Sequence, residues 1–319
     1  MGLLEKLETD FKSRIFNKTF EKYGDHALVP IVDFDDCAWY IHQRQKIQLD
    51  SSLAVLGENG IGKSMCALGL LKKIKLETDP NWTLKDTGNV IYAHQGHRDF
   101  INAINSRKND TILIDEANTI FQAKDHATTE SRVCYTFVEV ARKKGNALIY
   151  CTKNYGGLNY SLRSGKISMI VQIIDREDTS EEKALACVFM ASAVMQSEDR
   201  FGLEQLAYAR GWSEWKILVE QCHSFVGIMP IPSVDTILSK EEIDIYDKAK
   251  DDGIDLLAKK SMERMEAKEM MNEMRTEMYK RRMAGYKKKD KEPFGSFPKQ
   301  TEAEKIENRK WWDKMNGRG

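Results

Sequence analysis

The chain has 319 residues, and its 49 Lys and Arg balance 49 Asp and Glu, for a formal net charge of zero. Hydrophobic residues at 41% and charged residues at 31% suit a folded core with a large wetted surface, and the length suits two domains, or one with extensions. No apolar run approaches the roughly 20 residues that span a bilayer, so no membrane anchor is expected. The neutral total leaves nucleic-acid binding open, because a local basic surface can hide within it. The start, MGLLEKLETDFKSRIF, is acidic early and lacks the apolar block of a signal peptide. Six cysteines stand singly with no CxxC pair, as reduced thiols in a cytoplasmic protein do.

In chain order, residues 1–45 predict a helix from Leu3 to Phe20, then an irregular acidic stretch with Asp33, Asp35 and Asp36. From about Lys46, short β-rich runs alternate with amphipathic stretches. The runs are Leu53–Leu56, Val90–Ala93, Ile112–Ile114, Ala147–Cys151 and Ile167–Ile174. Most are continuously apolar, as parallel strands covered on both faces are. The expected fold class is therefore α/β, a three-layer core with a mostly parallel sheet and helices on both faces. A further run, Ala184–Ala193, follows across the polar turn Arg176–Glu182 and predicts a hairpin that extends the sheet. Leu203–Val219 reads as a helix, and Phe225–Ile231 as a last strand stopped by Pro230 and Pro232. The core thus spans 46–238. Residues 239–319 form a charged, helix-favouring extension with Met262, Met265, Met270, Met271, Met274, Met278 and Met283 spaced along it.

The segment GENGIGKS matches G-x-x-x-x-G-K-[ST] at Gly57, Gly62, Lys63 and Ser64, between an apolar strand and an amphipathic helix. Its glycines, Gly60 included, let backbone N–H groups turn inward around an anion. The following helix adds the positive end of its dipole. Lys63 is placed to reach the β- and γ-phosphates and the Ser64 hydroxyl to ligate Mg²⁺. Asn59, Ile61 and Met65 complete the expected ATP-binding loop. The strand in DTILIDEANTIF delivers Asp115, a second Mg²⁺-side ligand, and Glu116, a candidate general base for the attacking water. Between the two motifs lies a further strand, NVIYAH at residues 89–94, read as an inserted strand of the sheet. With the adjacent glutamate, it points to the P-loop division of RecA-like and AAA+ motors. The bland alternative for Asp115 and Glu116 is a pair of solvated acids opening a helix.

After Glu116 the chain continues to ARKKGNALIYCTKNYGGLNYSLR. In Arg142, Lys143 and Gly145, the strand Ala147–Cys151, and Leu158, Asn159 and Arg163, it resembles the FtsK–HerA superfamily of hexameric DNA-pumping ATPases and its Zot-like viral branch. That resemblance, over about Leu53 to Ile174, implies that Arg142 is an arginine finger for a neighbouring subunit's γ-phosphate. An exposed basic helix end is the alternative. The family's sensor glutamine is replaced here by Thr152, Lys153 and Asn154, so either the Thr152 hydroxyl or the Asn154 amide takes that role. Arg163 is a weaker candidate for a cis or trans arginine, with a plain surface role as the alternative. The resemblance further implies double-stranded DNA as partner and a ring, most simply a hexamer, located in the cytoplasm or with a virion. The large-terminase ATPases are the runner-up family. Asp175, Glu177 and Asp178 read as a solvated turn and not as a terminase nuclease.

The methionine-rich helix predicts either a docking face for a protein partner or a cover for the chain's own apolar surface. The basic stretches Lys280–Arg282 and Lys287–Lys291, with Tyr286 and Phe294, are candidates for phosphate contact and stacking, or simply solvated. His94, His97 and His223 read as ordinary polar residues and not as metal ligands. A non-translocating ATP switch, such as a loader or assembly factor, remains the alternative function.

Overall fold

A computed structural model describes residues 2–24, 29–58, 60–85, 87–92, 95–121, 129–163, 166–174, 184–191 and 224–288. Residues to Ala258 form one compact unit, and a second begins at Lys259. Within the first unit the helices are α1 (Leu3–Tyr23), α2 (Phe34–Lys46), α3 (Lys63–Leu76), α4 (His97–Ser106), α5 (Thr129–Lys143) and α6 (Tyr160–Arg163). Helix α7 (Lys240–Lys288) begins in it. The strands are β1 (Ser52–Leu56), β2 (Val90–Ile91), β3 (Thr111–Ile114), β4 (Ala147–Thr152), β5 (Met169–Ile174), β6 (Leu185–Met190) and β7 (Phe225–Pro230).

The seven strands form one sheet in the order β2-β3-β4-β1-β5-β6-β7. The first five are mutually parallel, and β6 and β7 add antiparallel. Continuous apolar runs make sense here because the parallel strands are buried on both faces. Leu53 and Val55 of β1, Leu113 of β3 and Ile149 of β4 join a core with α1, α2 and α3. Their neighbours Ala54, Leu56, Ile112, Ile114, Leu148 and Tyr150 join a second core with α4 and α5. The period of two therefore separates two helical layers although every position is apolar. This is the expected three-layer α/β core.

The expected hairpin is present as the antiparallel β5–β6 pair; its turn lies outside the described residues, as do the predicted helix Leu203–Val219 and the acids Asp175, Glu177 and Asp178. Two expectations need correction. The acidic stretch after α1 is helical: Asp33 caps α2, its Oδ1 accepting from Asp36 N at 2.8 Å while Asp36 Oδ2 accepts from Asp33 N at 3.2 Å. That reciprocal box satisfies two otherwise orphaned donors. Buried Asp36 then accepts an ion pair from Arg14 of α1 at 3.0 Å. The strand inserted in space between the phosphate-loop strand and the Asp115 strand is β4, whereas the NVIYAH strand lies at the sheet edge as β2.

The α7 N-terminus carries a second reciprocal box. Ser239 Oγ accepts from Glu242 N at 3.2 Å, and Glu242 Oε2 accepts from Ser239 N at 2.8 Å. Glu242 is buried and also takes Lys72 of α3 at 2.6 Å and Leu84 N at 2.8 Å. The start of α7 is thus bolted to the helix that follows the phosphate loop. From Lys259 onward α7 exposes Met262, Met265, Met270, Met274 and Met278. The side chains of Lys287 and Tyr286, and everything from residue 289, Phe294 included, lie outside the described residues. No described helix is long and apolar enough to cross a membrane.

Candidate functional site

The loop joining β1 to α3 leaves the C-terminal edge of the sheet, where open α/β sheets bind ligands. Gly60 and Gly62 have φ of 83° and 89°, a left-handed turn that side-chain-bearing residues resist. α3 then starts at Lys63 with no side chain capping it, so its first N–H groups are left for another acceptor. Lys63 is buried and donates from Nζ to the Glu58 carbonyl at 2.7 Å, its ammonium held over the loop. Ile61 and Met65 pack against the first core. Asn59 lies outside the described residues.

Parallel pairing through β4 sets β3 two strands from β1, so its C-terminal end delivers Asp115 opposite the loop. Ser64 Oγ donates to Asp115 Oδ1 at 2.9 Å, which joins the two sequence motifs in one place. Glu116 follows with φ 56° and ψ 48°. A non-glycine residue in that region carries roughly 1–3 kcal/mol of strain. Among the described residues nothing hydrogen-bonds to its carboxylate.

β4 ends beside the loop. Gly57 N donates to the Lys153 carbonyl at 3.1 Å, and Lys153 Nζ pairs with Glu58 at 2.8 Å. Thr152 is 1% exposed, and its hydroxyl has no hydrogen-bond partner among the described residues. Such an orphan is costly unless a ligand satisfies it. Asn154 instead uses its Oδ1 to accept from Gly157 N at 2.6 Å and cap the next turn. The two sensor candidates therefore differ physically: one hydroxyl is idle, and one amide oxygen is engaged.

Arg142 is not brought to the loop within its own chain. It lies in the last turn of α5 before β4 begins, at the edge where Asp50 precedes β1, roughly 20 Å from the Gly57 edge by strand rise. There it pairs with Glu139 at 3.3 Å and Asp50 at 3.7 Å. Burial pushes the Asp50 carboxyl up, opposed by Lys166 and Arg142. The hydrogen bond from Lys166 holds Glu139 down. Arg163 donates from Nε to the Leu158 carbonyl at 3.0 Å. His97 contacts the Ile120 carbonyl at 3.1 Å, and no cluster of metal-binding side chains occurs among the described residues; His94 and His223 lie outside them. The described cysteines are all free and buried.

Sequence reasoning missed two site residues, both on α7. Tyr246 is buried and donates from its hydroxyl to Asp115 Oδ2 at 2.6 Å. Burial, and then the Asp115 charge, push its phenol far above the usual tyrosine range. One turn on, Lys250 Nζ lies 3.2 Å from Asp115 Oδ2 and 3.3 Å from Ser64 Oγ. The i,i+4 spacing places both residues on one helical face, but nothing local says that this face meets residues 131 and 186 positions away.

No protein-family model matches the chain, and the comparison with curated proteins returns no relative. Solved structures similar to it include the N-terminal domain of zonular occludens toxin from Neisseria meningitidis, at 12% identity and a TM-score of 0.33 over 44% of this chain and 84% of that one. Another is the genome packaging NTPase of Sulfolobus turreted icosahedral virus 2 in complex with ATP-gammaS, at 13% identity and a TM-score of 0.32 over 46% and 93%. By its own strand order, phosphate-type loop and Asp115 strand, the chain has the mostly parallel α/β architecture of a RecA-like P-loop core.

Proposed function

We propose that this chain is a Mg²⁺-dependent ATP hydrolase that works as a ring-forming motor on double-stranded DNA, in genome packaging or DNA transfer. The observation that carries the nucleotide step is the hydrogen bond from Ser64 to Asp115 across the mouth of the glycine loop. A hydroxyl and a carboxylate, both hard oxygen donors, fit Mg²⁺, and the left-handed turns at Gly60 and Gly62 with the uncapped α3 start fit a polyphosphate. Bound Mg²⁺ would neutralise charge on the β- and γ-phosphates. Lys63 supplies a further positive charge from the loop. Glu116, with no other described partner, orients and deprotonates water. Thr152 offers its idle hydroxyl to sense the γ-phosphate.

The DNA step rests on the motif order after Glu116, and the finger role of Arg142 belongs to the same reading. Purified protein should bind ATP with Mg²⁺ and hydrolyse it faster with double-stranded DNA, the stimulation falling steeply with salt. Glu116→Gln should keep ATP binding while lowering turnover by about 100-fold or more. Undiminished turnover in that variant removes Glu116 from the base role. A wild-type rate indifferent to DNA in every assembly state favours the non-translocating switch.

A further inference from the structure

Lys250 touches the same two oxygens that the proposed metal would use. Its ammonium lies within 3.3 Å of Ser64 Oγ, Asp115 Oδ2 and the Tyr246 hydroxyl, so three oxygens surround one positive charge. Two cations cannot share those oxygens without strong repulsion, because Asp115 is only 2% exposed and water screens the pair poorly. The Lys250 side chain, by contrast, is 35% exposed, so its head group can swing into solvent without opening the core. Tyr246 cannot leave so easily, being buried, ring-packed on Tyr92 at 5.6 Å and one turn from the anchored Glu242.

Resting on the nucleotide reading above, we propose that Lys250 is an internal counter-cation for the Ser64–Asp115 pair, which the divalent metal must displace. Tyr246 stays and keeps Asp115 oriented, and Lys250 departs. Metal occupancy at the phosphate loop is thereby transmitted to α7, the helix that carries the C-terminal extension. Lys250 sets a threshold: it keeps the carboxylate paired without metal and weakens metal binding by the strength of its own contacts.

The test is a Mn²⁺ titration, read by electron paramagnetic resonance, of full-length protein saturated with a non-hydrolysable ATP analogue. Lys250→Met should bind Mn²⁺ about tenfold more tightly than wild type. Lys248→Met, which removes the same charge from the same helix at an exposed position, should leave the affinity unchanged. Amide exchange across 246–254 should rise in wild type when Mn²⁺ and the analogue are added together, and should already be raised in Lys250→Met. Unchanged or weaker Mn²⁺ binding in Lys250→Met overturns the proposal, as does an equal gain in Lys248→Met, which would mark a diffuse charge effect. If wild type binds no analogue at all, the nucleotide reading itself has failed, and this inference falls with it.

Discussion

At the scale of single residues, the site separates side chains that are already satisfied from those that are waiting. Lys63 and Asn154 have partners within the protein, whereas Thr152 hides a hydroxyl with none among the described residues. Replacing a buried, unpaired hydroxyl by a methyl of the same shape is close to neutral for folding. Thr152→Val should therefore leave the melting temperature unchanged or slightly raised, while lowering kcat about tenfold if the hydroxyl meets the γ-phosphate in the transition state. Asn154→Ala should do the opposite, costing about 1 kcal/mol of stability through the lost cap. Calorimetry and steady-state turnover on the same preparations separate the two, and full activity in Thr152→Val rejects it as the sensor. The residue types at Gly57, Lys63, Ser64, Asp115 and Glu116 were legible because their chemistry is local: a turn needs glycine, and a phosphate needs a cation. Thr152 against Asn154 was not legible, because which side chain is idle depends on neighbours from elsewhere in the fold.

At the scale of elements, two helix starts decide how the site is framed. The α2 box at Asp33 and Asp36 was readable as a capping signature but was hidden by the density of acids around it. The α7 box at Ser239 and Glu242 was readable too, yet its second job, gripping Lys72 and Leu84 N, was not. Burial acts to raise the Glu242 pKa, but the donors Lys72 Nζ, Leu84 N and Ser239 N outweigh it, so the folded-state pKa is lowered. A lowered folded pKa means a contribution fully present above the unfolded value near 4.5 and lost as pH falls through the folded value. Glu242→Ala should destabilise the protein by roughly 2–4 kcal/mol at neutral pH, since it leaves partly buried Lys72 and two N–H groups unpaired. The difference between the variant and wild type should shrink as urea melts are moved from pH 6 towards pH 3. A pH-independent difference would show that the carboxylate charge is not what matters there.

At the scale of the whole molecule, strand order does the positioning. Putting β4 between β1 and β3 brings Ser64 and Asp115 to hydrogen-bond distance while Arg142 is carried to the far edge. An arginine so placed can serve a phosphate only in another copy of the chain. Under the ring proposal, a mixture of Arg142→Ala and Lys63→Ala proteins should recover part of the hydrolysis that each has lost alone. A mixed assembly that shows no recovery argues against the finger and leaves Arg142 as the partner of Asp50 and Glu139.

The alternation of apolar strands with amphipathic stretches, and the glycine–lysine–serine loop with its acidic counterpart, were determined by the sequence by itself. Burial on two faces and phosphate binding each impose a pattern on consecutive residues, and a pattern of that kind survives without coordinates. Only the tertiary structure decided which strand stands between the two motifs, which β4 side chain is left idle, and that Tyr246 and Lys250 reach the oxygens of Asp115 and Ser64. Those are contacts between segments far apart in the chain, set by how layers pack and not by any periodicity within a segment. The phosphate loop was visible from the start. The helix that packs beside it was not, because Tyr246 and Lys250 look like one more turn of a charged helix until the fold brings Asp115 beside them.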